Sequence, residues 1–188
     1  MAQLIRFLLS NYSLTFLLIA LISTSVSIYR RKQTLNRALV IDTLLAYYCL
    51  FVIGFCHLYN FMMHVFFSAQ AASFIGWKAS PFQKEVGFAS LGFALVGILA
   101  SRRSFDARLA AVVGPAMFLW GAAGGHFYQL VVHHNFSPGN AGVVFWTDCF
   151  LPVLGFALLR TSQRSNQSVA SHGQQVSSTD EWHITSDQ

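Results

Sequence analysis

Five long apolar runs, separated by short polar or basic stretches, dominate the chain. A membrane-crossing helix needs about 20 mainly apolar residues. The runs at about 7–28, 39–67, 81–100, 109–133 and 140–159 meet that need. They predict an all-α integral membrane helical bundle of about five transmembrane helices, the last four forming its core. The second run is long enough to call for tilt. The third reaches full length once Ser80-Pro81-Phe82-Gln83 is read as a helix start. Ser80 is then the N-cap, Pro81 takes the first helical position, and Gln83 closes a capping box. Ser137-Pro138-Gly139-Asn140 reads as the turn between the last two spans. The first run carries only Arg6 before it and Arg30-Arg31-Lys32 after it, unlike a cleavable signal peptide. Residues 161–188 are rich in Ser and Gln and are expected to form a disordered cytoplasmic tail, with His172 and His183 solvated.

Composition agrees with the pattern. The chain is 54% hydrophobic and 10% charged, with a mean hydropathy of +0.50, whereas soluble domains carry about 25% charged residues. A net charge of +5 would suit a nucleic-acid partner. The cations, however, sit at the ends of apolar runs rather than on a basic face with interleaved aromatics, which excludes that class. The lipid bilayer is the expected partner, with a homo-oligomer or membrane complex left open. With five spans, Arg30, Arg31, Lys32, Arg37, Arg102, Arg103, Arg108, Arg160 and Arg164 share one side, and Arg6, Lys78 and Lys84 the other. The positive-inside rule places a cell-membrane protein with its N-terminus outside and its C-terminus in the cytoplasm. Cys49, Cys56 and Cys149 lie within apolar runs without metal-knuckle spacing and read as small buried hydrophobes.

Packing signals also stand out. Gly121-Ala122-Ala123-Gly124-Gly125, and Gly87, Gly92 and Gly97, would permit close backbone approach. Pro115 and Pro152 interrupt their helices, and Pro152 removes a backbone bond to the carbonyl of Asp148. Trp77, Trp120 and Trp146 read as interface anchors or core.

Against this background the polar positions are informative. His57, Asn60 and His64 are spaced i, i+3, i+7 on the second run, as are His126, Gln129 and His133 on the fourth. Each trio falls on one helical stripe. Glu85 and Asp148 lie inside the third and fifth runs. With a rise of about 1.5 Å per residue, all eight fall in the outer half of the bundle or at its rim. Asp42 is the only acid toward the cytoplasmic end. His57 could then face His126, and His64 face His133. Ionisable groups within spans are expensive and usually mark function. Three readings follow: a structural polar network, an outer-facing pocket for a small ligand, ion or proton, and a haem-, metal- or quinone-binding redox site. Haem or a transition metal is conceivable, but no HExxH or CxxCH occurs and no metal ligand is assigned. No nucleophile and base are paired, since Ser80 is a cap and Cys56 and His57 diverge around their helix. An enzyme is therefore the weaker expectation. Glu85, His126 and Asp148 lead the candidate pocket, and His134 is expected in an exposed loop.

Two segments carry a family resemblance. One runs through Ile75-Gly76-Trp77, Ser80-Pro81-Phe82-Gln83 and Glu85-Val86-Gly87 to Leu91-Gly92. The other comprises Gly125-His126, Gln129, Ser137-Pro138-Gly139-Asn140-Ala141-Gly142, Asp148 and Pro152. Over roughly residues 50–159 the chain resembles a family of small, mainly bacterial multi-pass membrane proteins known only as a domain of unknown function. The resemblance implies a helical bundle and supplies no catalytic residues. Its motif positions fall in the region selected by the polar stripes.

Overall fold

The computed structural model describes residues 1–31 and 36–185, with no side-chain description for Ala2, Asn166 and 168–185. Among the described residues the chain is helical, without strands. In order come α1 (Ala2–Ser10), α2 (Tyr12–Arg31), α3 (Arg37–Tyr47), a π-helical segment (Tyr48–Phe55), α4 (Cys56–Phe66), α5 (Ser68–Ile75), α6 (Phe82–Ala100), α7 (Phe105–Val132), α8 (Pro138–Ala141) and α9 (Val143–Thr185). Five stretches are long and apolar enough to cross a membrane: Tyr12–Arg31, Arg37–Phe66, Phe82–Ala100, Phe105–Val132 and Pro138–Ser165.

The boundaries depart from the sequence reading for local reasons. The first run does not stay one helix from residue 7. It breaks at Asn11, whose side-chain amide and backbone N–H both donate to the Phe7 carbonyl and close off α1. The second run is one rod with a wide π segment in its middle. The Ser80 cap survives in part, since its hydroxyl accepts from Phe82 N–H at 3.3 Å. The capping box does not form, because the Gln83 side chain turns to His64 instead. Both prolines lie inside unbroken helices. Beside Pro152, Tyr48 OH donates to the Leu151 carbonyl at 2.7 Å and Trp120 Nε1–H to the Cys149 carbonyl at 3.2 Å. Side chains thus serve carbonyls next to the break, as a helix in lipid requires. The last helix continues past the expected end of the fifth span. The disordered-tail reading falls mostly on side chains outside the described residues.

Packing is inverted relative to a soluble protein. The buried positions of α6 are Gly87, Ser90, Ala94, Gly97 and Ala100, all small. Leu95 and Leu99, on the same helix, are 54% and 62% exposed. Small residues inside and large apolar residues outside suit helices that associate by close packing within lipid. The closest approach joins α6 to the π segment. A Cβ on Gly97 would lie 2.7 Å from Gly54 N and 2.8 Å from the Cys49 carbonyl, so only glycine fits there. Gly87 is close-packed as well, since a Cβ there would lie 2.5 Å from Val65 Cγ2, but three other glycines do not follow this rule. Gly92, Gly121 and Gly124 have nothing within 4 Å of a Cβ position, which corrects the expectation that they mediate helix contact.

The dry core gathers Leu45, Tyr48, Cys49, Val52 and Ile53 against Val112, Leu151, Leu158 and Leu159. It occupies the half of the bundle nearer the α6–α7 corner. There Arg108, 7% exposed, reaches Asp42 Oδ1 at 2.5 Å and the carbonyls of Ala100 and Ser101 at 3.3 Å each. Arg108 was expected in the loop that sets orientation. It lies within α7 instead, because the last carbonyls of α6 and the Asp42 carboxylate together satisfy a buried guanidinium. Asp42 is thereby occupied as a structural partner. The three cysteines are free thiols.

Candidate functional site

The opposite half of the bundle is built around a tight junction between two distant segments. α5 ends in a left-handed Gly76 at φ 75°. Gly76 N–H bonds the Ser73 carbonyl and Trp77 N–H the Ala72 carbonyl, closing a Schellman cap. A Cβ on Gly76 would stand 2.1 Å from Ser137 Oγ, so both conformation and space demand glycine. Asn135 then clips this cap to the turn before α8. Its Nδ2 donates to the carbonyls of Ile75 (3.0 Å) and Gly76 (3.3 Å), while its Oδ1 accepts from Ser137 N–H at 3.0 Å.

Asn140 is the centre of the junction and is fully buried. Its Nδ2 donates to the His126 carbonyl at 3.2 Å and the Asn135 carbonyl at 2.9 Å. Its Oδ1 accepts from Trp77 Nε1–H at 3.0 Å and pairs with His126 Nδ1 at 2.9 Å. An indole N–H can only donate and a carbonyl can only accept, so all four contacts agree on the orientation of the amide. It follows that His126 carries its proton on Nδ1, and in the neutral ring Nε2 is a bare lone pair. That Nε2 lies 3.8 Å from Asp148 Oδ2. The gap is too long for a hydrogen bond. Among the described residues Asp148, 5% exposed, has no other polar partner.

Both groups line a cavity of about 670 Å³ enclosed by α2, the π segment, α4, α6, α7 and α9. His57, Asn60 and His64 line it too. Asn60 Nδ2 donates to Ser90 Oγ at 2.9 Å, and its Oδ1 accepts from Tyr12 OH at 3.3 Å. His64 Nδ1 is hydrogen-bonded to Gln83 Oε1. His57 Nδ1–H donates to the Ile53 carbonyl at 2.9 Å, at the end of the π segment. Its Nε2 is buried without a partner among the described residues. A second cavity of about 510 Å³ adjoins the first, sharing Tyr12, Asn60 and His64 and bounded by α1 and α5.

Five of the eight candidate residues therefore meet at one cavity: His57, Asn60, His64, His126 and Asp148. Three do not. Glu85 is exposed in the first turn of α6 and lines neither cavity. Gln129 is half-buried near the end of α7, outside both linings. His133 is the exposed C-cap of α7 with its ring 5.5 Å from Tyr128, so it does not face His64. The helix ends before the expected stripe is complete. His134 is exposed, with φ 50°.

Sequence reasoning passed over Asn140, Asn135, Trp77, Tyr12 and Ser90 as site residues. Asn140 was read only as a turn residue and Trp77 as an interface anchor, yet the indole lies 5.2 Å from the His126 ring. The one usable signal was the presence of Asn140 and Trp77 in the two motif segments; Tyr12, Ser90 and Asn135 fall outside the motif residues. Among the described residues no three His, Cys, Asp or Glu side chains converge as a metal-ligand set.

Five membrane-length helices around this cavity define a multi-pass membrane bundle. A family profile matches residues 10–168, and the chain belongs to DUF6790, a family of unknown function. The match reaches well beyond the expected 50–159 and takes in the first span. No curated protein and no solved structure matches the chain.

Proposed function

We propose that this is a cell-membrane protein whose cavity binds a small molecule through a hydrogen-bond donor held between His126 and Asp148. One observation carries the reading: the Asn140 network fixes the His126 tautomer so that an imidazole lone pair and a carboxylate stand 3.8 Å apart, facing a cavity rather than each other's proton. In the neutral imidazole Nε2 is an acceptor, and the Asp148 carboxyl offers acceptor oxygens whether or not it is ionised. A donor lying against both satisfies them, and a purely structural network would leave no such gap. His57 Nε2 adds a further unmet acceptor in the same wall. The cavity end faces outwards in this proposal, because Arg30, Arg31, Arg37, Arg102, Arg103, Arg160 and Arg164 remain on the far side after Arg108 is withdrawn into its ion pair. Glu85, Gln129 and His133 are left out of the binding set.

Native mass spectrometry of the detergent-purified protein tests the reading, with His126→Gln and His134→Ala alongside. The wild type and His134→Ala are expected to carry the same small-molecule adduct, and His126→Gln to carry at least about tenfold less, the equivalent of about 1.4 kcal/mol. Equal adducts in all three, or none in the wild type, would sink the proposal.

A further inference from the structure

We propose that the cavity opens sideways into the bilayer between α6 and α7, and that its ligand is a membrane-dissolved amphiphile bearing a hydroxyl group. The inference rests on the binding reading above and names its substrate class and its route. The helix register locates the opening. A Cβ on Gly114 would touch the Phe93 ring at 3.4 Å, which pairs α7 with α6 at that level. Seven residues on, in each helix, Gly121 stands opposite Val86, about 10 Å nearer the Trp77 end. At the Phe93 level the seam is shut, with Phe93 and Phe118 rings 5.4 Å apart and Phe93 against His57 at 5.7 Å. At Gly121 it is not, since nothing lies within 4 Å of a Cβ there.

Residues on both sides of this seam belong to two surfaces at once. Phe82, on α6, is 67% exposed and Met117, on α7, is 51% exposed, yet both line the cavity, as does Gly121. The outer surface around them is apolar: Phe88 is 59% exposed, Val113 39% and Trp120 39%. Gly121 stands on an exposed helix face, as Gly92 and Gly124 do, but of the three it alone lines the cavity. That arrangement joins the cavity to hydrocarbon along this seam, while the exposed Lys78 and Ser80 line it on the loop side. The chemistry inside then selects what crosses. His126 Nε2 and Asp148 call for a donor. Through this seam an ammonium enters at a high desolvation cost, whereas a neutral hydroxyl enters far more cheaply. The Trp77 indole, tilted against the His126 ring at 5.2 Å, lies beside the docking point.

The test uses Trp77 as its reporter. Full-length protein with Trp120, Trp146 and Trp182 changed to Phe is reconstituted in phosphatidylcholine vesicles. Its fluorescence is followed after mixing with vesicles containing 2-bromo-4-nonylphenol, or the methyl ether of that phenol as the donor-free control. The phenol is expected to quench saturably and the ether only in proportion to its membrane concentration. Gly121→Leu is expected to slow the onset at least about tenfold, which corresponds to about 1.4 kcal/mol of barrier. Gly124→Leu is expected to leave it unchanged, because Gly124 is equally unhindered but lies outside the lining. Gly121→Val repeats the test with a smaller side chain if the leucine variant does not fold. Saturable quenching with an unchanged onset in Gly121→Leu rejects the side opening and leaves the binding reading standing. Absent saturable quenching, with an adduct still depending on His126, rejects the hydroxyl amphiphile alone. Absence of both rejects the binding reading as well.

Discussion

The two ends of this bundle treat buried polar groups in opposite ways. At the α6–α7 corner, Arg108 spends its donors on Asp42 and on two helix-terminal carbonyls, beside the packed core of Leu45, Cys49 and Val112. At the Trp77 end, Asn140 is likewise fully used, but the groups it orients are not. His126 Nε2 and Asp148 stop 3.8 Å short of bonding, and His57 Nε2 meets nothing. A charge in a membrane protein is therefore no sign of a binding site by itself. What separates fastening from binding is where the unmet group stands: Thr43 Oγ1, next to Asp42, is also buried without a partner but lines neither cavity, whereas His126, Asp148 and His57 line one. The first end holds helices together, and the second holds a cavity in shape.

The largest effect expected from breaking this contrast comes from Asn140→Ala. It removes four hydrogen bonds in one step and leaves the Trp77 indole N–H and the His126 Nδ1–H without their acceptor. At about 0.6–1 kcal/mol for each bond in a membrane setting, the loss is about 3 kcal/mol. Thermal unfolding in detergent should register it, and Trp77 emission should shift red as the indole loses its fixed place. A change under about 1 kcal/mol would mean that the junction is not what organises this end.

Next comes Arg108→Ala at the other end, expected to lose about 2 kcal/mol by the same assay. Most of that loss comes from the carbonyls of Ala100 and Ser101, because the Asp42 side chain is 60% exposed and its pairing is worth little when solvated. Asp42→Ala should accordingly lose under about 1 kcal/mol. The two variants losing equally would show that the ion pair, rather than the capping of α6, fastens the corner. Neither change should alter the ligand adduct, because neither residue lines the cavity.

How far each end could be read from sequence follows from the same physics. Span number and approximate limits were legible because hydrocarbon thickness imposes a length on every run. The α1–α2 break was not, since it hangs on one side chain, Asn11, bonding back to Phe7. The His57, Asn60, His64 stripe and the pair His126 and Asp148 were legible from helical spacing and depth. Glu85 and His133 were misjudged because spacing says nothing about which way a helix is turned or where it stops. Asn140 was hidden, since a turn residue in a Ser-Pro-Gly-Asn motif gives no hint that it will face an imidazole 14 positions away. The glycines misled in a useful way. Identical residues at Gly97 and Gly121 serve a backbone contact in one place and open space in the other.

The smallest stability effect, and the sharpest test of the contrast, is expected from Asp148→Asn. Asparagine keeps the size and shape of the side chain while removing its ability to ionise. Asp148 has no hydrogen bond to lose among the described residues, and burying a carboxylate is more expensive than burying an amide. Unfolding should therefore change by under about 1 kcal/mol, in the stabilising direction if at all. Ligand binding should move the other way. An amide presents a weaker acceptor and an N–H that repels a donor, so the His126-dependent adduct should fall at least about tenfold. A variant that is more stable and less able to bind would show that Asp148 is kept for the ligand at the expense of the fold. Destabilisation by 3 kcal/mol or more would instead show that the gap to His126 is bridged in the native protein, making this end a fastening like the one at Arg108.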